Sequence, residues 1–417
     1  MISPNDKEAL EGGWYVDRKV YTSDEIFEQE KERIFYKTWH FACLRHDLEK
    51  PGDYVAMAVV DQPVLLVRGA DDELRAFYNA CTHRGAALNN KPCGNERLFK
   101  CMYHAWTFNL QGELIAVPYE QAYGSDFDKK QFSLQPVRVE TFHDLVFVTL
   151  NPDAPSLIDY LGELAPHLAP YVQGIEVIGH NSWTYDGNWK LWHENFRDNY
   201  HPEFAHRAFH DAIPHYADRG GNWALSPGHS VLQWVSEAWN TKAYARGLER
   251  LTEVEFAEGK AYFGSPVEYE HIDAPQEVLA VFPNLDFQPG QQEGGRRGSR
   301  SGYIQTATPL GPHKARIDIW VYSSTDDDEE TRKSMLENLA DGQGSWGKIS
   351  CDDTEAAVRC QIGLRGRGTQ FTPFARGVKP GKGGPDVDGR DEYSLREFYR
   401  VYSQYLSAPT PVTVAAE

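Results

Sequence analysis

An α+β architecture, a small antiparallel β domain near the N-terminus and then a larger antiparallel sheet covered by helices, is expected from three features of this 417-residue chain. Between 53 and 150 lie short runs rich in Val, Phe and Leu, separated by Gly, Asp or Asn turns. A double-proline break, Asn151-Pro152-Asp153-Ala154-Pro155, follows them. Beyond it, strand and helix patterns alternate too irregularly for a doubly wound parallel sheet.

The elements follow in order. Thr22-Ser23-Asp24-Glu25 has the form of a capping box opening a helix through about Tyr36, with Ile26, Phe27, Ile34 and Phe35 available for burial. From Trp39 the pattern changes to strands, at Asp53–Val60, Pro63–Arg68, Leu74–Asn79, Ala105–Leu110 and His143–Leu150. After the proline break come a helical run at Ser156–Leu168, a strand at Ile175–Tyr185 and helices within Trp189–Phe209. Strands are expected at Val231–Val235, Val278–Phe282, Tyr303–Thr308 and Ala315–Tyr322, then helices at Glu329–Leu339, Asp352–Leu364 and Ser394–Tyr405. Pro289–Gly302 and Gly377–Gly389 read as long loops and Ala408–Glu417 as a frayed tail.

Composition bounds the function. With 41% hydrophobic and 25% charged residues the chain can build a substantial core, and 11 Trp, 22 Tyr and 20 Phe also suit an aromatic-friendly pocket. A net charge of −19 argues against a nucleic-acid partner and an anionic membrane surface, since both would repel it. No run approaches the roughly 18 apolar residues of a membrane helix. The opening MISPNDKEAL lacks the basic start and apolar stretch of a secretion signal, so a cytoplasmic protein is expected. Its six cysteines do not form the framework of a secreted disulfide protein.

Two of those cysteines have a better use. Cys81-Thr82-His83 and Cys101-Met102-Tyr103-His104 are separated by 17 residues and fall on loops of the β domain. Two thiolates and two imidazoles can bind a [2Fe-2S] cluster in which histidines replace cysteines on one iron. A closed zinc site is the rival, but zinc fingers group cysteines together before histidines, whereas here each loop offers one thiolate and one imidazole. Farther on, Asp198-Asn199-Tyr200-His201 and His206 offer two imidazoles that need one carboxylate to complete an open iron site. Their five-residue spacing does not share one helix face, so a helix must begin or distort there, and Pro202 suits a first turn after His201. His210 and His215 are rival ligands. The carboxylate could come from Cys351-Asp352-Asp353-Thr354-Glu355, although acidic residues at a helix start also simply complement its dipole.

CTHRG, CMYHAW and DNYHPEFAH together resemble the Rieske non-haem iron ring-hydroxylating oxygenases, in their large or α subunit. The resemblance runs from the entry helix through the LREFYRVY helix. It implies an all-β Rieske domain (39–152) inserted near the N-terminus of a helix-grip catalytic domain (153–417), with residues 1–38 packing on the latter. Cys81 and Cys101 would bind one iron of the cluster and His83 and His104 the other. His201 and His206 match the family's iron histidines, and Asp353 its third ligand, with Asp352 the near rival and Glu355 behind it. Asp198 matches the aspartate that bridges an iron histidine to a cluster histidine, here His201 to His104, with an ion pair to Arg197 or Arg207 as the plainer alternative. Asn195 is expected to line the iron site.

The resemblance also implies a terminal oxygenase that uses dioxygen to hydroxylate an aromatic ring, by cis-dihydroxylation of an aromatic acid or hydrocarbon. The chain has no GxGxxG, phosphate loop or second ferredoxin-like cysteine set, so electrons must come from NAD(P)H through a separate ferredoxin or flavin reductase. Arg84, Lys91, Arg97 and Lys100, against Glu96 alone, give the cluster loops a positive surplus that would steer an acidic donor. A homotrimer, or an α3β3 assembly with a small β subunit, is implied, with the cluster of one subunit beside the iron of its neighbour. Length, the CDDTE segment and the C-terminal helix are most similar to oxygenases of terephthalate, salicylate or anthranilate type. A carboxylate substrate would want a buried arginine, yet this chain has Gln305 where some such relatives carry one, and Arg296, Arg297 and Arg300 lie in a glycine-rich loop. A Rieske monooxygenase, an electron carrier with a ligand-binding domain and a zinc-containing binding protein are the alternatives.

Overall fold

Strands between His40 and Thr149 pair into a seven-stranded antiparallel sheet, in the order His40–Leu44, Leu145–Thr149, Pro136–Phe142, Leu74–Tyr78, Gln62–Arg68, Asp53–Val59, Cys93–Asn95. Phe99–Lys100, Thr107–Phe108 and Leu114–Ala116 form a second, three-stranded sheet. This computed structural model describes residues 13–206, 220–234, 276–289, 300–377, 381–384 and 387–407. The chain divides into two compact units, 35–160, and 1–34 together with 161–417. The proline-rich break stays with the smaller unit, where Trp39 Nε1 donates to Pro155 O (3.0 Å) and Leu157 N to Glu140 Oε2 (2.8 Å). The expected strand Ala105–Leu110 shrinks to Thr107–Phe108, because Ala105 and Trp106 are spent closing the preceding loop.

The larger unit is built on eight antiparallel strands: Ile175–Tyr185, Lys314–Ser324, Gly302–Gly311, Leu285–Pro289, Gln276–Val281, His229–Trp234, Gly220–Leu225 and Gly383–Gly384. Helices Trp189–Asn195, Glu329–Gly342, Lys348–Arg365 and Tyr393–Ser407 belong to the same unit. Leu395, Phe398, Tyr399 and Tyr402 recur at helical spacing on the last of these and are buried. Phe398 meets Trp189 (ring centroids 6.1 Å apart) and Phe282 (5.4 Å).

The entry segment belongs to this unit. Glu30, Lys190 and the Tyr402 hydroxyl are buried together, with the ammonium ringed by Tyr21, Trp189 and Tyr402. The helix cap is Ser23, whose Oγ accepts from Ile26 N (3.3 Å), whereas Thr22 closes a preceding turn and donates to Arg18 O (3.2 Å). The helix is therefore Asp24–Glu30, followed by a π turn at Lys31–Phe35. Among the described residues no helix is long and apolar enough to cross a membrane. Val235, His210, His215, Arg207, Arg296, Arg297 and the 408–417 tail lie outside the described residues.

Candidate functional site

Two loops of the smaller unit share one backbone pattern. In the first, Cys81 N donates to Ala86 O and Gly85 N to Cys81 O, both at 2.8 Å. In the second, Cys101 N donates to Trp106 O (2.8 Å) and Ala105 N to Cys101 O (2.9 Å). The fifth position of each turn is left-handed, occupied by Gly85 (φ +73°) in one loop and Ala105 (φ +57°) in the other. Matching turns bring matching side chains together. Cys81 and Cys101 are buried, His83 and His104 are only partly so, and the two imidazoles stand edge to face at 4.6 Å.

Trp106 fixes the arrangement by stacking flat on His83 (4.8 Å, 8°). Burial pushes the Cys81 thiol up, and the neighbouring Cys101 adds to it; burial, then His104 and Arg84, push the His83 ring down. The Nδ1 of His83 is buried without a hydrogen-bond partner. Sulfur inside, nitrogen outside and an unpartnered ring nitrogen fit a cluster with one thiolate-bound and one imidazole-bound iron.

In the larger unit, one donor atom from each of His201, His206 and Asp353 lies within 4.8 Å of the others. His206 Nε2 is 3.2 Å and His201 Nε2 3.5 Å from Asp353 Oδ1. The five-residue spacing works because a separate short helix, Pro202–Ala205, starts after His201 and stops before His206. Asp353 is 3% exposed. Its neighbour Asp352, about 100° around the helix, is half exposed and approaches the other ring nitrogen of His206, Nδ1, at 3.4 Å. The helix begins at Lys348 rather than at the acidic pair. The carboxylates thus lie beyond its first turn, where the dipole contributes little.

Around this trio, Asn195 Nδ2 donates to Asp353 Oδ1 (3.1 Å), and Asp198 Oδ2 lies 3.5 Å from His201 Nδ1, long for a hydrogen bond. Burial alone would lower the His201 pKa, but Asp198 and Asp353 outweigh it and lift it to about 10. Burial likewise opposes charge on Asp353, yet the two histidines hold it at about 2. A protein cation here balances what a divalent ion would balance, and two imidazoles with one carboxylate suit ferrous iron. Arg197 does not pair with Asp198; it is fully buried and donates to His193 Nε2 (3.1 Å) and Ser230 Oγ (3.0 Å).

His193, absent from the expected site, is the hub beneath it. Burial, then Arg197, keep its ring neutral despite Asp286, so Nε2 accepts from Arg197 and Nδ1–H donates to Asp286 Oδ2 (2.7 Å). Also unforeseen are Gln288, Tyr303 and Gln343, which line a cavity with the iron-type trio, Phe196, Leu232 and Val278. Polar residues interrupting apolar strands, as in Leu285-Asp286-Phe287-Gln288, were the available signal. Gln305 is fully buried outside that lining, and Arg300 turns away to Gln173 O and Asp326.

Glu194, beside Asn195, accepts from the buried hydroxyls of Tyr21 (2.9 Å) and Tyr399, and burial raises its pKa to about 7. Because the folded pKa lies above the ordinary 4.5, this stability is fully present below about pH 4.5 and is lost as pH rises through 7. The loss is at most about 3 kcal/mol. Glu194→Gln should therefore flatten the fall in unfolding free energy between pH 5 and 8, measured by denaturant titration; parallel curves for variant and wild type would contradict it.

Known proteins resemble this chain along most of its length. Residues 38–142 match the Rieske [2Fe-2S] domain and residues 175–408 the ring hydroxylating alpha subunit catalytic domain. The chain is 30% identical to 2-aminobenzenesulfonate 2,3-dioxygenase subunit alpha of Alcaligenes sp., over 94% of each. It is 36% identical to the anthranilate 1,2-dioxygenase large subunit of Acinetobacter baylyi, over 93% of this chain and 84% of that one. Naphthalene 1,2-dioxygenase from Rhodococcus sp. superposes with a TM-score of 0.82 over 99% of this chain and 100% of that one, at 24% identity. A quaternary ammonium Rieske monooxygenase in complex with L-carnitine shares the fold, with a TM-score of 0.75 over 97% and 99%, at 21% identity.

This chain belongs to the Rieske-type ring-hydroxylating oxygenases, as an α subunit. It is an oxidoreductase whose first domain carries a [2Fe-2S] cluster and whose second carries mononuclear iron.

Proposed function

We propose that the chain is a terminal oxygenase that cis-dihydroxylates an aromatic ring, with Cys81, His83, Cys101 and His104 holding the cluster and His201, His206 and Asp353 the ferrous ion. The observation that carries this is the trio of donor atoms within 4.8 Å, opening on a cavity floored by Leu232 and Val278. A Rieske cluster supplies electrons, and an iron bound on one side leaves positions open for dioxygen. The protein does the positioning. Asn195 orients Asp353 through its amide, and the Asp198 and Asp352 carboxylates, 3.5 Å from His201 Nδ1 and 3.4 Å from His206 Nδ1, favour a proton on those nitrogens, which leaves each Nε2 to the trio. Leu232, Val278 and Phe196 offer the ring an apolar bed and exclude water.

The partners follow from chemistry. Arg84, Lys91, Arg97 and Lys100 are exposed around the cluster loops, beside Met102 (86% exposed) and Tyr103 (57%), a surface suited to an acidic ferredoxin or flavin reductase fed by NAD(P)H. All six cysteines are free, in keeping with the reducing cytoplasm. The family resemblance supports a trimer, with or without a β subunit, in which the cluster of one chain serves the iron of the next. Because the same fold hosts a monooxygenase, labelled dioxygen is the decisive test. Turnover with reductase and a panel of aromatic acids and hydrocarbons should place two labelled atoms in one dihydrodiol. One labelled atom, in a phenol or released aldehyde, would make the enzyme a monooxygenase.

A further inference from the structure

The cavity floor is one face of the eight-stranded sheet, and its polarity changes from side to side. Leu232 stands opposite Val278 in register, and Gln288 opposite Tyr303, on four successive strands that all reach the cavity. The first pair is apolar. The second brings an amide and a phenol, with Gln288 5% and Tyr303 0% exposed. Neither Gln288 Oε1 nor Tyr303 Oη has a hydrogen-bond partner within the protein, and a protein rarely leaves buried polar atoms in that state unless something else meets them. Two such atoms on directly opposed residues, both lining a cavity, mark a place built for a ligand's polar group.

The chemistry of that group can be narrowed. Burial, and the charges of Asp353 and Asp286, push the Tyr303 hydroxyl well above its usual pKa, so it is a neutral O–H donor. Gln288 Oε1 is an acceptor. Among the described residues lining the cavity there is no lysine or arginine, while Asp353 is there. The negative charges of Asp353 and Asp286, both felt at the Tyr303 hydroxyl, disfavour an anionic substituent beside it.

We propose that Gln288 and Tyr303 form a substituent subsite, selecting an aromatic ring that bears a neutral group able both to accept and to donate a hydrogen bond, a carboxamide or hydroxyl. Tyr303 Oη–H donates to the substituent's oxygen, and the substituent's N–H or O–H donates to Gln288 Oε1. The ring lies toward Leu232 and Val278. This rests on the oxygenase reading above and departs from the aromatic-acid substrate that the resemblance implied.

Calorimetric dissociation constants on the cluster- and iron-loaded protein test it, using benzamide, benzoate and α-methylstyrene, the last an apolar shape mimic of benzamide. Wild type should bind benzamide about tenfold or more tighter than either of the others. Tyr303→Phe and Gln288→Leu should each shrink the benzamide-to-methylstyrene ratio about tenfold, with iron content and cluster absorption unchanged. Ratios unmoved in both variants, benzoate binding tightest, or no binding of benzamide would overturn the subsite. If the ratios move as expected but no ring is hydroxylated with reductase and dioxygen, the subsite stands and the oxygenase reading falls.

Discussion

Asp353→Ala should lose turnover while keeping the visible spectrum of the cluster. Asp353 is the only carboxylate among the described residues grouped with His201 and His206, and it sits at 3% exposure between their two Nε2 atoms. Changing a partner outside a metal's ligands typically costs about 10–100-fold, so removing a ligand should cost more, on the order of a thousandfold. Metal analysis separates the two centres: iron should fall from about three to about two per chain, with acid-labile sulfide unchanged. Asp352→Ala reaches only His206 Nδ1, from the solvent side, and should stay within the smaller range. A fully active Asp353→Ala enzyme with three irons would remove Asp353 from the site.

Why Asp353 rather than Asp352 could not be read from spacing alone is plain from the helix. Adjacent residues differ by about 100° of rotation, and choosing between them required knowing where Lys348–Arg365 begins and which face it buries. The cluster loops were more legible, because Cys-x-His and Cys-x-x-His are local patterns whose chemistry does not depend on a distant partner. His193, Gln288 and Tyr303 were not. Each gains its meaning from a residue far off in sequence, His193 from Asp286 and Gln288 from its cross-strand neighbour Tyr303. Short strands such as Leu285–Pro289 and Gly220–Leu225 also leave no clear pattern, since polar residues break their apolar runs and only ladder pairing keeps them extended. The cap moved from Thr22 to Ser23 for a similar reason: both hydroxyls suit the role, and the preceding turn claims Thr22.

Chains carrying His104→Ala and chains carrying Asp353→Ala, each inactive alone, should regain part of the wild-type rate when they assemble together. In the proposed trimer, the first has an intact iron-type trio and the second intact cluster loops, so a mixed ring contains one junction at which both are whole. In that proposal Asp198 makes the junction. Its Oδ1 is held by Tyr200 N at 2.5 Å, its Oδ2 faces His201 Nδ1, and its side chain remains 21% exposed, so a second imidazole can reach it. A carboxylate can accept from two rings at once and fix both. An amide has only one acceptor oxygen. Adding Asp198→Asn to the His104→Ala chain, whose His201 is the receiving end, should therefore abolish the rescue, whereas adding it to the Asp353→Ala chain should leave the rescue intact. The readouts are product formation with reductase and native mass spectrometry of the mixed assembly. If mixed trimers form and remain inactive, transfer occurs within one chain and Asp198 bridges nothing between chains; if rescue survives Asp198→Asn in the receiving chain, the junction runs through another residue.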